Sequence, residues 1–505
     1  MINKFLQKKT KQLIPPLSMS LVAVTSIFFF KVPIPHGYFY GDDYLLYEAH
    51  ITPWGYSSSF WSSFYQIGGG KFRPLFTSVI SLLLSWHGNS YSQFHRDALF
   101  LLFICSIIFA ILCYQLTHNL LVFVFSPLII ISSRFIWYNQ SQVHGIMELL
   151  ALMWFLLALV LMFRWTSTRK PIFLIMASLA FAFSSFTHER YLLAPIAVWV
   201  FLLFCAAPKK LPKIKISGTL VLLIGPALNW FLKVKVLGID FLAGGGETPF
   251  LKSSGLWIIH HAGMGILGIL GFSNGSIDHF SPNGWGLFNE NGNSQFQDVN
   301  RWIRITIVFT LIICTLWFVR RQAKTKILSD CAMPQDQFLN RGILVFLFLA
   351  TLLPASTIIS RTEGRWLQAP EICFWLIMFS LIPRINKKSA SALLIGVFAV
   401  SQIISISTRP SMATYLSGQN LALAIMASTE QNAPKSGAWN LVITGKDLQP
   451  WLFAYGRVFF QLKNPPQNFL INSEKCPNPC LQFDLTQSKI KAFWHPSTSI
   501  INRRM

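Results

Sequence analysis

Apolar runs recur along this chain from end to end, separated by short polar stretches, and their lengths carry the first inference. A helix needs about 20 predominantly apolar residues to cross hydrocarbon. Runs of that order lie at 13–30 and then near 98–117, 119–133, 146–163, 171–186, 192–207, 217–232, 303–319, 343–359, 366–383 and 390–408. The pattern predicts an all-α polytopic membrane protein with about eleven transmembrane helices. Two further stretches are apolar but ambiguous. Residues 74–86 are short and serine-rich, and residues 256–272 are glycine-rich and carry His260 and His261. Both read as interfacial helices.

The pattern changes near residue 410. A helical repeat through Tyr415, Leu416, Leu421, Leu423, Ile425 and Met426 precedes a strand at 439–444. A helix around 451–462 follows, then short strands at 469–471, 482–485 and 490–494. The chain therefore divides into a membrane domain, 1–409, and a small α/β domain, 410–505.

Charge sets the orientation. The 505 residues are 53% hydrophobic and only 12% charged, with a net charge of +23. A positive balance can signal nucleic acid, but here the basic residues fall in short clusters between apolar runs, as membrane topology requires. The lysine-rich N-terminus, Arg164/Arg169/Lys170, Lys209/Lys210/Lys213/Lys215, Arg320/Arg321/Lys324/Lys326 and Arg384/Lys387/Lys388 are all cytoplasmic if 74–86 does not span. The first run lacks a small-residue cleavage site and reads as an anchor rather than a signal. This places loops 31–97, 134–145, 187–191, 233–301 and 360–365, and the C-terminal domain, on the external face. Cys476 and Cys480 there can form a short disulfide or remain two loop thiols.

The external loops hold isolated polar groups suited to chemistry. Asp42, Asp43 and Glu48 follow the first span. Carboxylates there can act as a general base, hold a divalent cation, or simply keep a helix end in water. Lys71 and Arg73 lie at headgroup depth, where they can bind phosphate or anchor the interface. The turn Thr187-His188-Glu189-Arg190-Tyr191 either lines a cavity, with Arg190 on a phosphate, or neutralises itself at a hairpin tip. Arg361 and Arg365, four residues apart, can clamp a pyrophosphate, with Glu371 following in the next span. Glu148 is an ionisable group inside a span and needs a partner. No phosphate-binding loop, dinucleotide fingerprint, zinc motif or nucleophile elbow is present.

The acidic pair Asp42-Asp43, the downstream Arg73-Pro74-Leu75, Phe94-His95 leading the next helix, and Arg134 to Gln140 followed by His144 and Glu148 together resemble the GT-C superfamily of integral-membrane glycosyltransferases. The pattern is similar to the protein O-mannosyltransferase-like and aminoarabinose-transferase-like branch. The resemblance covers roughly residues 1–210. It implies an inverting transferase that moves a sugar from a polyprenyl-phosphate donor to a glycan, lipid or protein acceptor on the periplasmic side of a bacterial inner membrane. Asp42 or Asp43 would be the base. Lys71, Arg73, Arg190, Arg361 and Arg365 would hold the donor phosphate, with Glu48, His95, Arg134, His144, Glu148, His188 and Glu189 in support. No cofactor is demanded. A magnesium or manganese ion on Asp42 or Asp43 with His144 is the one candidate, because His144 stands where some members place an acidic ligand. Membrane lipids are partners and nucleic acid is not. Two rival readings share the many spans: a transporter or flippase of lipid-linked saccharides, and an O-antigen ligase or polymerase.

Overall fold

A computed structural model of the chain describes residues 72–88, 90–133, 135–136, 139, 143–206, 216–238, seven positions between 258 and 269, 335–356, 364–381, 424–425, 427–445, 462, 464–471, 473, 476–485 and 491–495. The expected spans at 13–30, 303–319 and 390–408 lie outside the described residues, as do most of the 256–272 segment and the 451–462 helix.

The helices are α1 (Pro74–His87), α2 (Tyr91–Thr117), α3 (Leu120–Phe125), α4 (Pro127–Ser132), α5 (Gly145–Thr168), α6 (Pro171–Thr187) and α7 (Leu193–Ala206). A continuous helical stretch over 216–236 comprises α8 (Ile216–Thr219), a 3-10 turn, α9 (Ile224–Trp230) and a π-type turn. Then come α10 (Gln335–Ser356) and α11 (Gln368–Leu381). Proline opens α1, α4 and α6, where its missing N–H is one the helix leaves unused in any case.

Four stretches among the described residues are long and apolar enough to cross a membrane: Ser92–Thr117, Gly145–Thr168, Ser217–Val236 and Asp336–Ala355. The segments expected at 171–186, 192–207 and 366–383 are also helical. Of these, α7 and α11 each cover 14 described residues. The apolar run 119–133 is helical as two six-residue segments that meet at Ser126, whose backbone is itself helical, with Pro127 opening the second segment, where its missing N–H is one the turn leaves unused. The 74–86 segment is the helix α1, whose relation to the bilayer its length alone leaves open.

Helix α5 is central: 72% of its apolar window is buried, against 33% for Ser217–Val236. It packs on α2 and α6, while α10 packs on α7 and α11. Apolar side chains gain little from packing in lipid, so small residues and interhelical hydrogen bonds specify the contacts. Ser184 Oγ donates to the Ala151 carbonyl at 2.8 Å, Ser178 Oγ to Val221 at 2.5 Å, and Thr166 Oγ1 to Asn340 Oδ1 at 2.6 Å. Gly145 opens α5 against the backbone of Asn139, where an added Cβ would lie 2.4 Å from the Asn139 Cα.

The C-terminal strands fall close to their expected positions: β1 (Asn440–Thr444), β2 (Asn468–Ile471), β3 (Cys480–Asp484) and β4 (Lys491–His495). They form one sheet in the order β2-β1-β3-β4. β1 runs parallel to both β2 and β3, and β4 is antiparallel to β3. The inner strand β1 carries the apolar run Leu441-Val442-Ile443, buried throughout, as expected for a strand covered on both faces. A disulfide joins Cys476 to Cys480.

Candidate active site

The turn between α6 and α7 begins at His188, whose extended backbone ends α6, and continues as a 3-10 turn over Glu189–Tyr191. It lies beside the start of α5, where Met147 and Glu148 occupy the first turn, and beside Arg73, which immediately precedes α1. Three stretches far apart in sequence therefore meet at one end of the helices.

Arg73 and Glu189 form a forked pair, with Nε donating to Oε2 at 2.6 Å and Nη2 to Oε1 at 2.5 Å. The remaining Arg73 nitrogen, Nη1, lies 3.1 Å from the Met147 sulfur. Arg190 turns to the other carboxylate: its Nη2 donates to Glu148 Oε1, and its guanidinium sits 5.5 Å from the Trp366 ring centroid. Glu148 is 3% exposed, so its charge is supported by Arg190 and not by water.

His188 lies between the pairs. Its Nε2 is 3.2 Å from Arg190 Nε and 3.6 Å from Glu148 Oε1, and its Nδ1 is 3.3 Å from the Arg190 amide and 3.4 Å from Glu189 Oε2. A neutral imidazole carries one proton. Two Arg190 donors face Nε2, Nη2 at 2.7 Å and Nε at 3.2 Å, so in the neutral imidazole Nε2 is the acceptor and Nδ1 carries the proton, toward Glu189 Oε2. The imidazole thus joins Arg190 to Glu189. Burial pushes the Tyr191 phenol well above its usual range, and the Glu148 carboxylate adds to the effect. Arg190, Tyr191, Thr351, Trp366 and Ala369 line a recess of about 10 Å³, room for one water.

A second polar contact set links neighbouring elements. Ser133, just after α4, donates to Glu371 on the first turn of α11, and Asn139 donates to Gln368 of the same helix. His144 meets Phe76 edge-on at 5.5 Å, and His95 is buried on the first turn of α2.

The structure therefore brings together Arg73, Glu148, His188, Glu189 and Arg190. Arg365 lies on the 3-10 turn Gly364–Leu367 that leads into α11. Asp42, Asp43, Glu48, Lys71, Arg134 and Arg361 lie outside the described residues. Among the described residues, no three His, Cys, Asp or Glu side chains gather as a metal site. Met147 was not foreseen as a contributor, and Tyr191 was singled out only as the end of the polar turn, with no role of its own. The signal for Tyr191 was its position directly after Arg190, whereas nothing local marks Met147, one apolar residue in an apolar run.

No family model matches the chain, and no curated protein does. Two solved structures are similar. One is the Archaeoglobus fulgidus oligosaccharyltransferase tethered to an acceptor peptide through a disulfide bond, at 12% identity and a TM-score of 0.46, covering 91% of this chain and 64% of that one. The other is the archaeal oligosaccharyltransferase AglB from Archaeoglobus fulgidus in complex with an inhibitory peptide and a dolichol-phosphate, at 12% identity and a TM-score of 0.47, covering 88% and 64%. The chain thus spans less than two thirds of the length of the structures it matches.

Proposed function

We propose that this chain is a GT-C-like membrane glycosyltransferase that moves a sugar from a polyprenyl-phosphate donor to an acceptor hydroxyl on the external face. The observation that carries this reading is the convergence of Arg73, Glu148, His188, Glu189 and Arg190 at one end of the apolar helices. That end is the face to which the positive-inside pattern assigns Asp42 and Asp43. Concentrating charged groups at one face, instead of at mid-membrane, suits chemistry on a lipid headgroup better than passage of a solute.

The reaction proposed is a single displacement. The acceptor oxygen attacks the anomeric carbon, the bond from that carbon to the phosphate oxygen breaks, and the acceptor proton passes to Asp42 or Asp43. Negative charge grows on the departing polyprenyl phosphate. Arginines already oriented by carboxylates stabilise it without reorganising in the transition state. Glu148 and Glu189 would hold Arg190 and Arg73 in place for the phosphate. A divalent cation remains a proposal attached to Asp42 or Asp43 with His144.

The test is incubation of the purified protein with radiolabelled polyprenyl-phosphate sugars and a mixture of envelope glycans, lipids and peptides, with and without chelator. Transfer of label that disappears in the Asp42→Asn/Asp43→Asn variant, with the protein still membrane-inserted, is the expected result. Full transfer by that variant would overturn the assignment of the base. Absence of transfer from every polyprenyl-phosphate donor would overturn the donor class.

A further inference from the structure

Helix α5 runs 16 residues from Glu148 to Arg164, about 24 Å at 1.5 Å per residue. At that opposite end, the last turns of α2, α5 and α11 and the first turns of α10 surround an open cleft of about 270 Å³. The space is near the lower end of the range that takes a small ligand, enough for a headgroup. Its polar wall contains Arg164 and Arg341, Asp336, Gln115, His118 and Asn340.

The groups in this wall differ in what they lack. Arg164 is exposed and, among the described residues, stands in no ion pair. Arg341 is held in place because its Nη2 donates to the Ser380 carbonyl. Asn340 is 6% exposed and its Oδ1 accepts from Thr166, which fixes the amide. Gln115 Oε1 is buried and has no hydrogen-bond partner. Leaving a buried acceptor unsatisfied costs about 1–3 kcal/mol, and a ligand that donates to it removes the cost. Asp336 is a second acceptor in the same wall.

We infer that this cleft binds a phosphate ester bearing a hydroxylated headgroup, with the phosphate on Arg164 and Arg341 and a headgroup hydroxyl on Gln115 or Asp336. Two cationic forks are suited to a phosphate, and they flank acceptors that a phosphate cannot use but a hydroxyl can. The site is independent of the charged cluster at the other end and of the activity proposed for it. The ligand can be a membrane lipid such as a phosphoglycerol lipid, entering between helix ends, or a soluble glycerol phosphate.

Native mass spectrometry of the delipidated full-length protein tests this. Phosphatidylglycerol is the probe, diacylglycerol the control without phosphate, and glycerol 3-phosphate the soluble competitor. Phosphatidylglycerol should be retained at least about fivefold better than diacylglycerol, equivalent to about 1 kcal/mol. Arg164→Gln should abolish that preference, while Lys170→Gln, which removes an exposed charge beyond the cleft, should leave it intact. Gln115→Leu, a second variant, should weaken phosphatidylglycerol more than phosphatidylmethanol, which lacks the hydroxyl. Displacement by glycerol 3-phosphate would identify a soluble ligand, and resistance to it a lipid; both keep the phosphate-ester site. Equal retention of diacylglycerol, equal loss in Arg164→Gln and Lys170→Gln, or unchanged binding in both cleft variants would overturn it.

Discussion

Arg73 closes on Glu189, 116 residues later in the chain, through two parallel hydrogen bonds of 2.6 and 2.5 Å. The contact ties the approach to α1 to the turn between α6 and α7, and it fixes the plane of the Arg73 guanidinium. Planar bidentate pairing is a property that lysine cannot reproduce. Arg73→Lys should therefore raise the KM for a polyprenyl-phosphate donor by roughly tenfold, about 1.4 kcal/mol, with a smaller effect on kcat. Steady-state kinetics with a donor that supports transfer would check this, and an unchanged KM would remove Arg73 from donor binding.

The deeper pair should behave differently. Glu148 is nearly inaccessible, so Glu148→Gln leaves the Arg190 charge without its main support, a loss of about 3–5 kcal/mol. Removing both charges in Glu148→Gln/Arg190→Gln should cost less than the sum of the two single changes. Thermal unfolding of the four proteins in one detergent measures the coupling, and strict additivity would show that the pair is not coupled.

Gly145 is required for a steric reason. A methyl group there meets the Asn139 main chain at 2.4 Å, and main chain cannot swing aside as a side-chain tip can. Gly145→Ala should destabilise by about 1–3 kcal/mol, the usual range for overpacking. It should also shift the first turn of α5, which carries Glu148. A thermal midpoint equal to that of the parent would contradict the close approach.

Tyr191 sets an alkaline limit. Its phenol stays protonated in the folded protein beyond its ordinary range, whereas the unfolded chain releases that proton near pH 10. The contribution is complete below the unfolded value and declines as pH rises above it, by about 1.4 kcal/mol per unit until the folded phenol also ionises. Tyr191→Phe should flatten the fall in thermal midpoint between about pH 9 and pH 11. An identical slope in both proteins would show that Tyr191 does not carry the effect.

Much of the secondary structure was legible before any contact was known. The apolar runs at 146–163, 171–186 and 217–232 lie on α5, α6 and the 216–236 stretch because burial in lipid or core demands continuous apolar residues. Pro74, Pro127 and Pro171 mark helix starts because a fixed φ and a missing N–H suit the first turn. The strands of the small sheet were legible as short apolar runs between polar and glycine- or proline-containing stretches.

The candidate site shows the division most clearly. The sequence by itself marked His188, Glu189 and Arg190 as an improbable polar turn between apolar helices, and it left open whether adjacent acid and base neutralise each other. Only the tertiary structure decided the partners: Glu189 pairs with Arg73 and Arg190 with Glu148. Neighbouring side chains in a tight turn diverge in direction, so each charge meets whatever another segment brings to its side, and that is set by helix packing. The cleft at the far end follows the same rule. Arg164 was marked only as one of a topological basic cluster and Asp336 and Gln115 not at all, and they share a wall because the helices that carry them converge there.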